Sequence, residues 1–314
     1  MNTESQSQSA PTDSPRTKVL RRLRKFGIGV AAFGVLLFML FLVNANSESW
    51  KEPRVGSSSL PLSRDAQNEV KIVAYNIAKC FAYTGATRFA TTEEVKGRLD
   101  RIALLLNEEK PDLVFLSEVV NECGPRPFDQ VEYLANKCGF ASWATGDNYS
   151  WGLPFFRIRS GNAVLSRFPL SNFKTMGLVS ESSIWNPTNN RRVLWCDVEI
   201  NGQTYLAGSL RNDSFNLKNN SRQVDEILEF IGQRPTILAG DFNAEPQDEP
   251  MKKFKESKRF SGAFRGVATY PTRKPWRRID YVLAPNTWTL KSDLVINTDI
   301  SDHIPVVAVF SVPR

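Results

Sequence analysis

The sequence predicts a mixed α/β domain that follows a single N-terminal membrane-spanning helix. Three observations support this prediction. An uncharged apolar run of 18 residues occupies positions 26–43 and is just long enough to cross a bilayer as a helix. From residue 68 onward, short apolar segments typical of strands alternate with segments that repeat apolar residues at helical spacing. The pair Asn201-Gly202 separates two strand-like segments, which indicates a β-hairpin.

Basic residues flank the apolar run only on its N-terminal side, between Arg16 and Lys25. Because basic flanks stay cytoplasmic, we expect the domain on the far side of the membrane. A cleaved signal peptide is the alternative, since small residues near Ala45 resemble a cleavage site. The first residues are rich in Ser, Thr, Gln and Pro, which is typical of disorder. We therefore predict a disordered basic tail over 1–25, an anchor over 26–43, a linker over 44–67 and one domain over 68–314.

The net charge of +7 is weak evidence for binding to nucleic acid. The first 25 residues carry six basic and two acidic side chains, so most of the net charge belongs to the tail. This basicity therefore indicates membrane orientation more than a polyanionic partner.

The four cysteines permit two disulfides in an exported domain. Sequence alone does not choose among the three possible connectivities. We predict a bond between Cys80 and Cys123, because each follows a predicted strand end. Zinc is not favoured, because the chain lacks Cys-x-x-Cys and its only histidine is His303.

The first part of the domain predicts strand, helix and strand in succession. Residues 69–75 alternate polar and apolar side chains before Asn76, and Thr91 or Thr92 is a candidate N-cap with glutamates in the first turn of the helix. The buried strand that follows ends at Glu118. A right-handed crossover places both strand ends at one sheet edge, so Asn76 and Glu118 are expected to approach each other.

The second part of the domain predicts more strands and helices in turn. The predicted elements are a helix over 128–140, a strand over 161–169, paired strands over 192–200 and 203–209, a helix from Asn220 or Ser221, and a short helix over 251–258. Between the last two, an apolar strand stops at Gly240 and then presents Asp241 and Asn243. Residues two apart along a strand point to the same side, so these two side chains face one pocket.

Polar residues stand at the ends of several predicted strands. They are Asn76, Glu118, Asp241 with Asn243, Asp280, and Asp302 with His303. Because sheet edges collect ligand sites, we expect one pocket lined by carboxylates, amides and one imidazole. Hard oxygen ligands favour Mg²⁺ or Mn²⁺, and such an ion would screen phosphate charge and polarise the ester.

These motifs resemble those of the endonuclease/exonuclease/phosphatase superfamily, over roughly Val70 to Val312. The resemblance implies a fold of the α/β (α+β) class, a four-layer sandwich of two mixed β-sheets flanked by helices. It also implies a metal-dependent phosphoric ester hydrolase, either a phosphodiesterase or a phosphatase. The implied metal ligands are Glu118, Asp302 and Asn76, and Asn76 and Asn243 would also support the phosphate.

The resemblance assigns the remaining roles as follows. Asp241 would orient or deprotonate the attacking water. His303 would contact the phosphate in the transition state, while Asp280 would fix its tautomer and raise its pKa.

One position departs from the superfamily pattern. Many members carry a histidine here in a Thr-His-Leu context, and this chain has Gly208-Ser209-Leu210. Abasic-site endonucleases also lack that histidine and use a nearby asparagine, so Asn212 is the predicted substitute. The departure motivates an alternative in which the chain is a binding module with weakened turnover.

The substrate is expected to be a small or lipid phosphoester, and the enzyme a monomer. The alternative is an extracytoplasmic nuclease, whose affinity would fall steeply with salt. Aromatic and basic residues in a loop over 146–160, and in the region 273–278, are predicted to set specificity. Trp276 and Arg278 are the predicted substrate contacts of the second region.

Overall fold

The computed structural model describes residues 15–46, 52–62, 67–82, 89–124, 128–181 and 190–313. Five helices are assigned there, namely α1 (Pro15–Asn46), α2 (Thr92–Glu109), α3 (Gln130–Cys138), α4 (Leu217–Ile231) and α5 (Glu249–Glu256). The strands are β1 (Arg54–Ser57), β2 (Glu69–Asn76), β3 (Leu113–Gly124), β4 (Ser142–Leu153), β5 (Phe156–Ser166), β6 (Leu170–Gly177), β7 (Arg192–Ile200), β8 (Gln203–Arg211), β9 (Thr236–Asp241), β10 (Phe260–Gly262), β11 (Asp280–Pro285), β12 (Thr289–Val295) and β13 (Val306–Ser311).

These strands form two sheets, with the orders β1-β4-β5-β3-β2-β13-β12 and β10-β11-β9-β8-β7-β6. Parallel pairs, β2 with β3 and β8 with β9, occur beside antiparallel ones, so both sheets are mixed. The predicted sandwich of two mixed sheets flanked by helices is confirmed. Each parallel pair brings two carboxyl strand ends to the same edge of its sheet.

Successive side chains of a strand point to opposite faces of its sheet and so pack into different apolar cores. In β2, Ile72 and Ala74 join the apolar core between the sheets, whereas Val73 and Tyr75 face the core beneath α2 and α3. A third core lies beneath α4 and α5. A strand that is buried on both faces does not alternate polar and apolar residues. This explains the apolar runs that precede the polar residues at the strand ends.

Local signals placed α2 correctly and α4 only approximately. Of the two predicted N-cap candidates, Thr91 caps α2, in a capping box with Glu94. The helix expected from Asn220 or Ser221 instead begins at Leu217, because the Asn216 side chain accepts hydrogen bonds from two backbone amides of the first turn.

Three predicted segments need correction. Residues 15–25 belong to α1, so this basic segment is helical rather than disordered; residues 1–14 lie outside the described residues. Part of the predicted linker is β1, which pairs with β4. The supposed loop over 146–160 consists mostly of the paired strands β4 and β5.

The predicted disulfide between Cys80 and Cys123 is also wrong. All four cysteines are free thiols, and Cys80 is fully buried in the core beneath α2. Burial raises the pKa of Cys80 to about 12, which keeps it a protonated thiol at neutral pH.

Candidate active site

One amide group links the two sheets at the predicted strand ends. The Asn76 Nδ2 atom lies 3.0 Å from Asp241 Oδ2, 3.3 Å from Glu118 Oε1 and 3.3 Å from His303 Nε2. Asn76 ends β2 in one sheet, and Asp241 ends β9 in the other. The sandwich therefore brings a carboxamide, two carboxylates and an imidazole together from distant parts of the sequence.

A buried carboxylate orients the imidazole. His303 Nδ1 lies 2.9 Å from Asp280 Oδ2 and 3.2 Å from Oδ1, which leaves Nε2 toward Asn76 and Asp241. Burial alone would lower the pKa of His303, but the charges of Asp280 and Asp241 outweigh it and raise that pKa to about 9. At neutral pH His303 is thus able to donate a proton through Nε2 to a phosphoryl oxygen.

Asp241 is fully buried and is held by groups from its own strand and its neighbour. The backbone N–H of Asn243 donates to Asp241 Oδ1 at 3.0 Å, and Arg211 Nε lies 3.4 Å from Asp241 Oδ2. A carboxylate fixed in this way keeps one orientation, as a general base needs.

Asn243 and Asn212 support each other. Asn243 has a φ of +50° and donates from Nδ2 to the Asn212 carbonyl at 3.0 Å. The Asn212 side chain donates in turn to Asn220 in α4 at 3.0 Å. Asn212 therefore contacts both Asn243 and α4.

The residue that departs from the superfamily pattern lies away from this cluster. Ser209 Oγ donates to the Leu116 carbonyl at 3.1 Å, between the two sheets. Arg211, two residues further along β8, enters the cluster instead and places Nη2 at 2.7 Å from Glu118 Oε1. Sequence reasoning missed Arg211, although residues two apart on a strand share a face.

Two cations of the protein neutralise the Glu118 carboxylate. Glu118 is 9% exposed and has a φ of +54°; it forms ion pairs with Arg211 and with the ammonium group of Lys79. Lys79 lies in a short 3₁₀ turn over Ala78–Phe81, in which four successive residues have positive φ. Burial, and then the charge of Arg211, lower the pKa of Lys79 to about 7. Lys79 was missed because its segment has no periodicity.

These surroundings fit a divalent cation beside Glu118. A buried carboxylate whose ion-pair partners are cations marks a position where positive charge is stabilised. Asp302 is exposed nearby, with Ser301 Oγ 3.3 Å from its Oδ1. Asp241, Asp280 and His303 also cluster within 4.8 Å, but Asp280 already holds His303 Nδ1, so we interpret that group as a hydrogen-bonded catalytic set.

Arg191 adds a buried positive charge that the sequence did not reveal. It is 2% exposed, and its Nη2 donates to Ser214 Oγ at 3.1 Å, while its Nε has no partner. Among the described residues, no carboxylate lies within ion-pair distance of it. Burial, and then the nearby charge of Arg211, lower the pKa of Arg191. An anionic ligand here would relieve the cost of this desolvated charge.

Arg278 is not placed to bind phosphate, contrary to the prediction. Its guanidinium is buried, and Nη2 donates to both carboxylate oxygens of Asp293, at 2.8 and 3.0 Å. The guanidinium also donates to the Val267 and Ala263 carbonyls. Trp276 is 67% exposed, and the Arg277 guanidinium lies 5.5 Å from its ring centroid.

A cavity of about 460 Å³ opens beside the cluster. Asp302 and Ser301 line one side of it, and Phe81, Thr272 and Arg273 line the rest with their neighbours. Because Ser301 also donates to the Asn76 carbonyl at 2.7 Å, the cavity adjoins the sheet edge that carries Asn76 and Glu118, which we name the catalytic edge. This volume is large enough to hold a small organic group.

Carboxylates, amides and one imidazole thus lie together at one edge of a two-sheet sandwich. The chain belongs to the endonuclease/exonuclease/phosphatase family, whose model matches residues 73–303. Members of this family are generally hydrolases of phosphoesters and usually use divalent metals. Among curated proteins, no sequence match was found.

Solved structures show the same fold. A family member from Beutenbergia cavernae has 22% identity and a TM-score of 0.64, over 78% of this chain and 72% of that one. The human Nocturnin catalytic domain has 18% identity and a TM-score of 0.59, over 82% and 96%. A mannosyl-6-phosphatase from Bacteroides thetaiotaomicron has 14% identity and a TM-score of 0.56, over 77% and 99%.

Proposed function

We propose that this chain is a membrane-anchored, divalent-metal-dependent phosphoesterase that hydrolyses a phosphate ester with an activated water. The observation that carries the proposal is the Asn76 amide, which lies within 3.3 Å of a base candidate, a metal-ligand candidate and an oriented imidazole. General-base and phosphate-stabilising groups thereby share one site.

Each residue has a task in this reaction. Asp241 orients the attacking water and accepts its proton. His303, held by Asp280, donates to the phosphoryl oxygen on which charge develops, and Asn243 holds another oxygen. Arg211 and Arg191 supply positive charge on the β7–β8 side of the site.

The proposed metal ligands are Glu118 and Asp302, with Asn76 beside them. A divalent ion there would polarise the ester and screen the phosphate charge. Lys79 is the cation that faces Glu118 across this position, so metal binding is expected to compete with the Lys79 ammonium.

The anchor is proposed to be α1. Its segment Lys18–Ala45 is long and apolar enough to cross a membrane. The basic residues before it favour a cytoplasmic N-terminus and an extracytoplasmic catalytic domain.

The test is hydrolysis by the full-length chain in detergent micelles. Bis(p-nitrophenyl) phosphate, p-nitrophenyl phosphate and plasmid DNA would be assayed with Mg²⁺, Mn²⁺ or EDTA, and Asp241→Ala and His303→Ala would serve as controls. Metal-dependent turnover that both substitutions abolish supports the proposal, and preference for DNA would favour the nuclease alternative. Absence of both turnover and metal binding would refute the catalytic assignment.

A further inference from the structure

The end of α1 is bonded to the β4–β5 hairpin. Asn44 is 2% exposed, its Nδ2 donates to the Gly152 carbonyl at 2.9 Å, and Ser150 Oγ donates to its Oδ1 at 3.0 Å. Gly152 has a φ of +115°, and a Cβ there would collide with the Phe156 carbonyl, so this contact requires glycine. The helix and the domain are therefore joined by specific contacts in addition to the chain between them.

Exposure along α1 shows how far the domain covers the helix. Residues 18–36 are exposed, whereas five of the next six apolar residues are half-buried, namely Leu37, Phe38, Leu40, Phe41 and Leu42. The covered part spans about 9 Å before Val43, at 1.5 Å per residue. If residues 26–43 fill the bilayer, the protein surface over this part lies at leaflet depth.

The hairpin turn that follows Gly152 presents an apolar surface. Phe155 and Phe156 are 68% and 41% exposed, and Phe89 packs edge-on against Phe156 with ring centroids 6.1 Å apart. The nearby charge of Arg157 is paired with Glu122 at 3.1 and 3.0 Å. Exposed aromatics with paired charges suit the boundary between head groups and acyl chains.

The register of the sheet relates this turn to the catalytic edge. β5 runs antiparallel to β3, and Gly161 lies opposite Val119, next to Glu118. Phe155 is six residues before Gly161, about 20 Å along the strand at 3.3 Å per residue. The turn therefore projects from the same edge of the sheet that carries Asn76 and Glu118.

We propose that the β4–β5 turn, residues 153–156, inserts into the leaflet on the domain's side, beside α1, and turns the catalytic edge toward the lipid head groups. This inference rests on the proposed function and gives its substrate class as a phosphoester carried by a membrane lipid. The turn and α1 are then two contacts with one bilayer, which fix the orientation of the domain.

The insertion is tested by nitroxide accessibility in the full-length chain, reconstituted in vesicles of phosphatidylcholine and phosphatidylglycerol. Labels are placed at Phe155→Cys, at Val35→Cys in α1, and at Thr204→Cys, which is exposed at the opposite sheet edge. All three carry Cys123→Ser, because the other three native cysteines are buried. Oxygen reports lipid exposure, and a water-soluble nickel chelate reports aqueous exposure.

Three outcomes decide the matter. Lipid exposure at positions 35 and 155, with aqueous exposure at 204, supports the insertion. Lipid exposure at 35 alone overturns the insertion and leaves the anchor intact. Aqueous exposure at 35 shows that the anchor itself fails, and the inference fails with it.

The substrate class is tested with Phe155→Ser/Phe156→Ser, because both rings are outside the catalytic cluster. Hydrolysis of soluble bis(p-nitrophenyl) phosphate is expected to stay unchanged. Release of water-soluble phosphate from phosphatidic acid or phosphatidylglycerol in vesicles is expected to fall about tenfold, since two apolar side chains no longer insert. Turnover of soluble ester without any turnover of either lipid, or an equal loss on both kinds of substrate, would overturn the lipid assignment.

Discussion

Two arginines, the buried Arg278 and the partly buried Arg211, differ in how their charge is used. Arg278 is enclosed by Asp293 and two backbone carbonyls, and its partners lie within 15 residues along the chain. Arg211 divides its guanidinium between Glu118 and Asp241, from two different sheets, and Glu118 also faces Lys79. Arg278 and Asp293 thus form a closed pair, in which the two charges compensate each other. Arg211 belongs to a shared set, in which charged groups such as Arg211 and Glu118 contact more than one partner.

The difference between a closed pair and a shared set distinguishes charged residues that stabilise the fold from those that are candidates for function. In a closed pair each partner compensates the buried charge of the other. Removal of one partner therefore lowers the stability of the fold. A shared set leaves groups able to exchange their partners for a metal ion or a phosphate. Strongly charged buried groups with divided or missing partners, such as Arg191, are therefore candidates for ligand contact.

The largest effect is expected from Asp241→Asn, which keeps the shape of the side chain and removes its basicity. We expect kcat to fall about 10³- to 10⁴-fold, since general-base catalysis is lost. Steady-state kinetics on bis(p-nitrophenyl) phosphate measure it, and thermal unfolding provides the control for folding. A loss below about tenfold would assign the base elsewhere.

Arg278→Met is expected to lower the free energy of unfolding by about 3 kcal/mol, because Asp293, whose side chain is only 9% exposed, becomes a largely desolvated charge without a partner. Below its unfolding temperature the variant should keep its KM. In the matched double variant Arg278→Met/Asp293→Leu, most of the stability should return. Urea titration measures the free energy of unfolding of both variants. A raised KM of Arg278→Met with normal stability would show that Arg278 contacts the substrate.

Opposite effects on metal affinity are expected from Glu118→Gln and Lys79→Met. The first removes a ligand charge and should weaken Mg²⁺ or Mn²⁺ binding about 10- to 100-fold or more. The second removes a competing cation and should strengthen binding by up to about tenfold. Titration calorimetry compares them, and weaker binding in both variants would show that Lys79 supports the site structurally.

The smallest effect is a change in the titration of His303. As the only histidine, it gives one imidazole signal by NMR, expected to titrate at about 9 in metal-free protein. Asp280→Asn should lower this pKa, because a charge that favours the imidazolium is removed. The folded-state pKa of His303 lies above the ordinary value of 6.5. Protonated His303 therefore stabilises the fold fully below pH 6.5, and this stabilisation is lost as the pH rises through about 9. An unchanged pKa in the variant would contradict the pairing.

Much of the site was visible in the sequence because its residues border apolar strand segments. Asn76 and Asp241 end β2 and β9, as predicted, whereas Glu118 lies within β3, Asp280 begins β11 and His303 precedes β13. The structure brings all five together. The cations Lys79, Arg191 and Arg211 were not selected, since nothing in their local sequence distinguishes them from surface charges. Arg278 was selected wrongly because its partner Asp293 is a residue of β12, a strand that was not predicted.

The sequence by itself determined the alternation of strands and helices, the apolar helix and the set of polar strand ends. Those features depend on periodicity over a few residues, which the chain carries locally. Tertiary structure alone decided which charges meet, that residues 146–160 pair as strands, and that Asn44 docks on Gly152. These depend on register between segments as far as 227 residues apart, such as Asn76 and His303, and no local spacing encodes that distance.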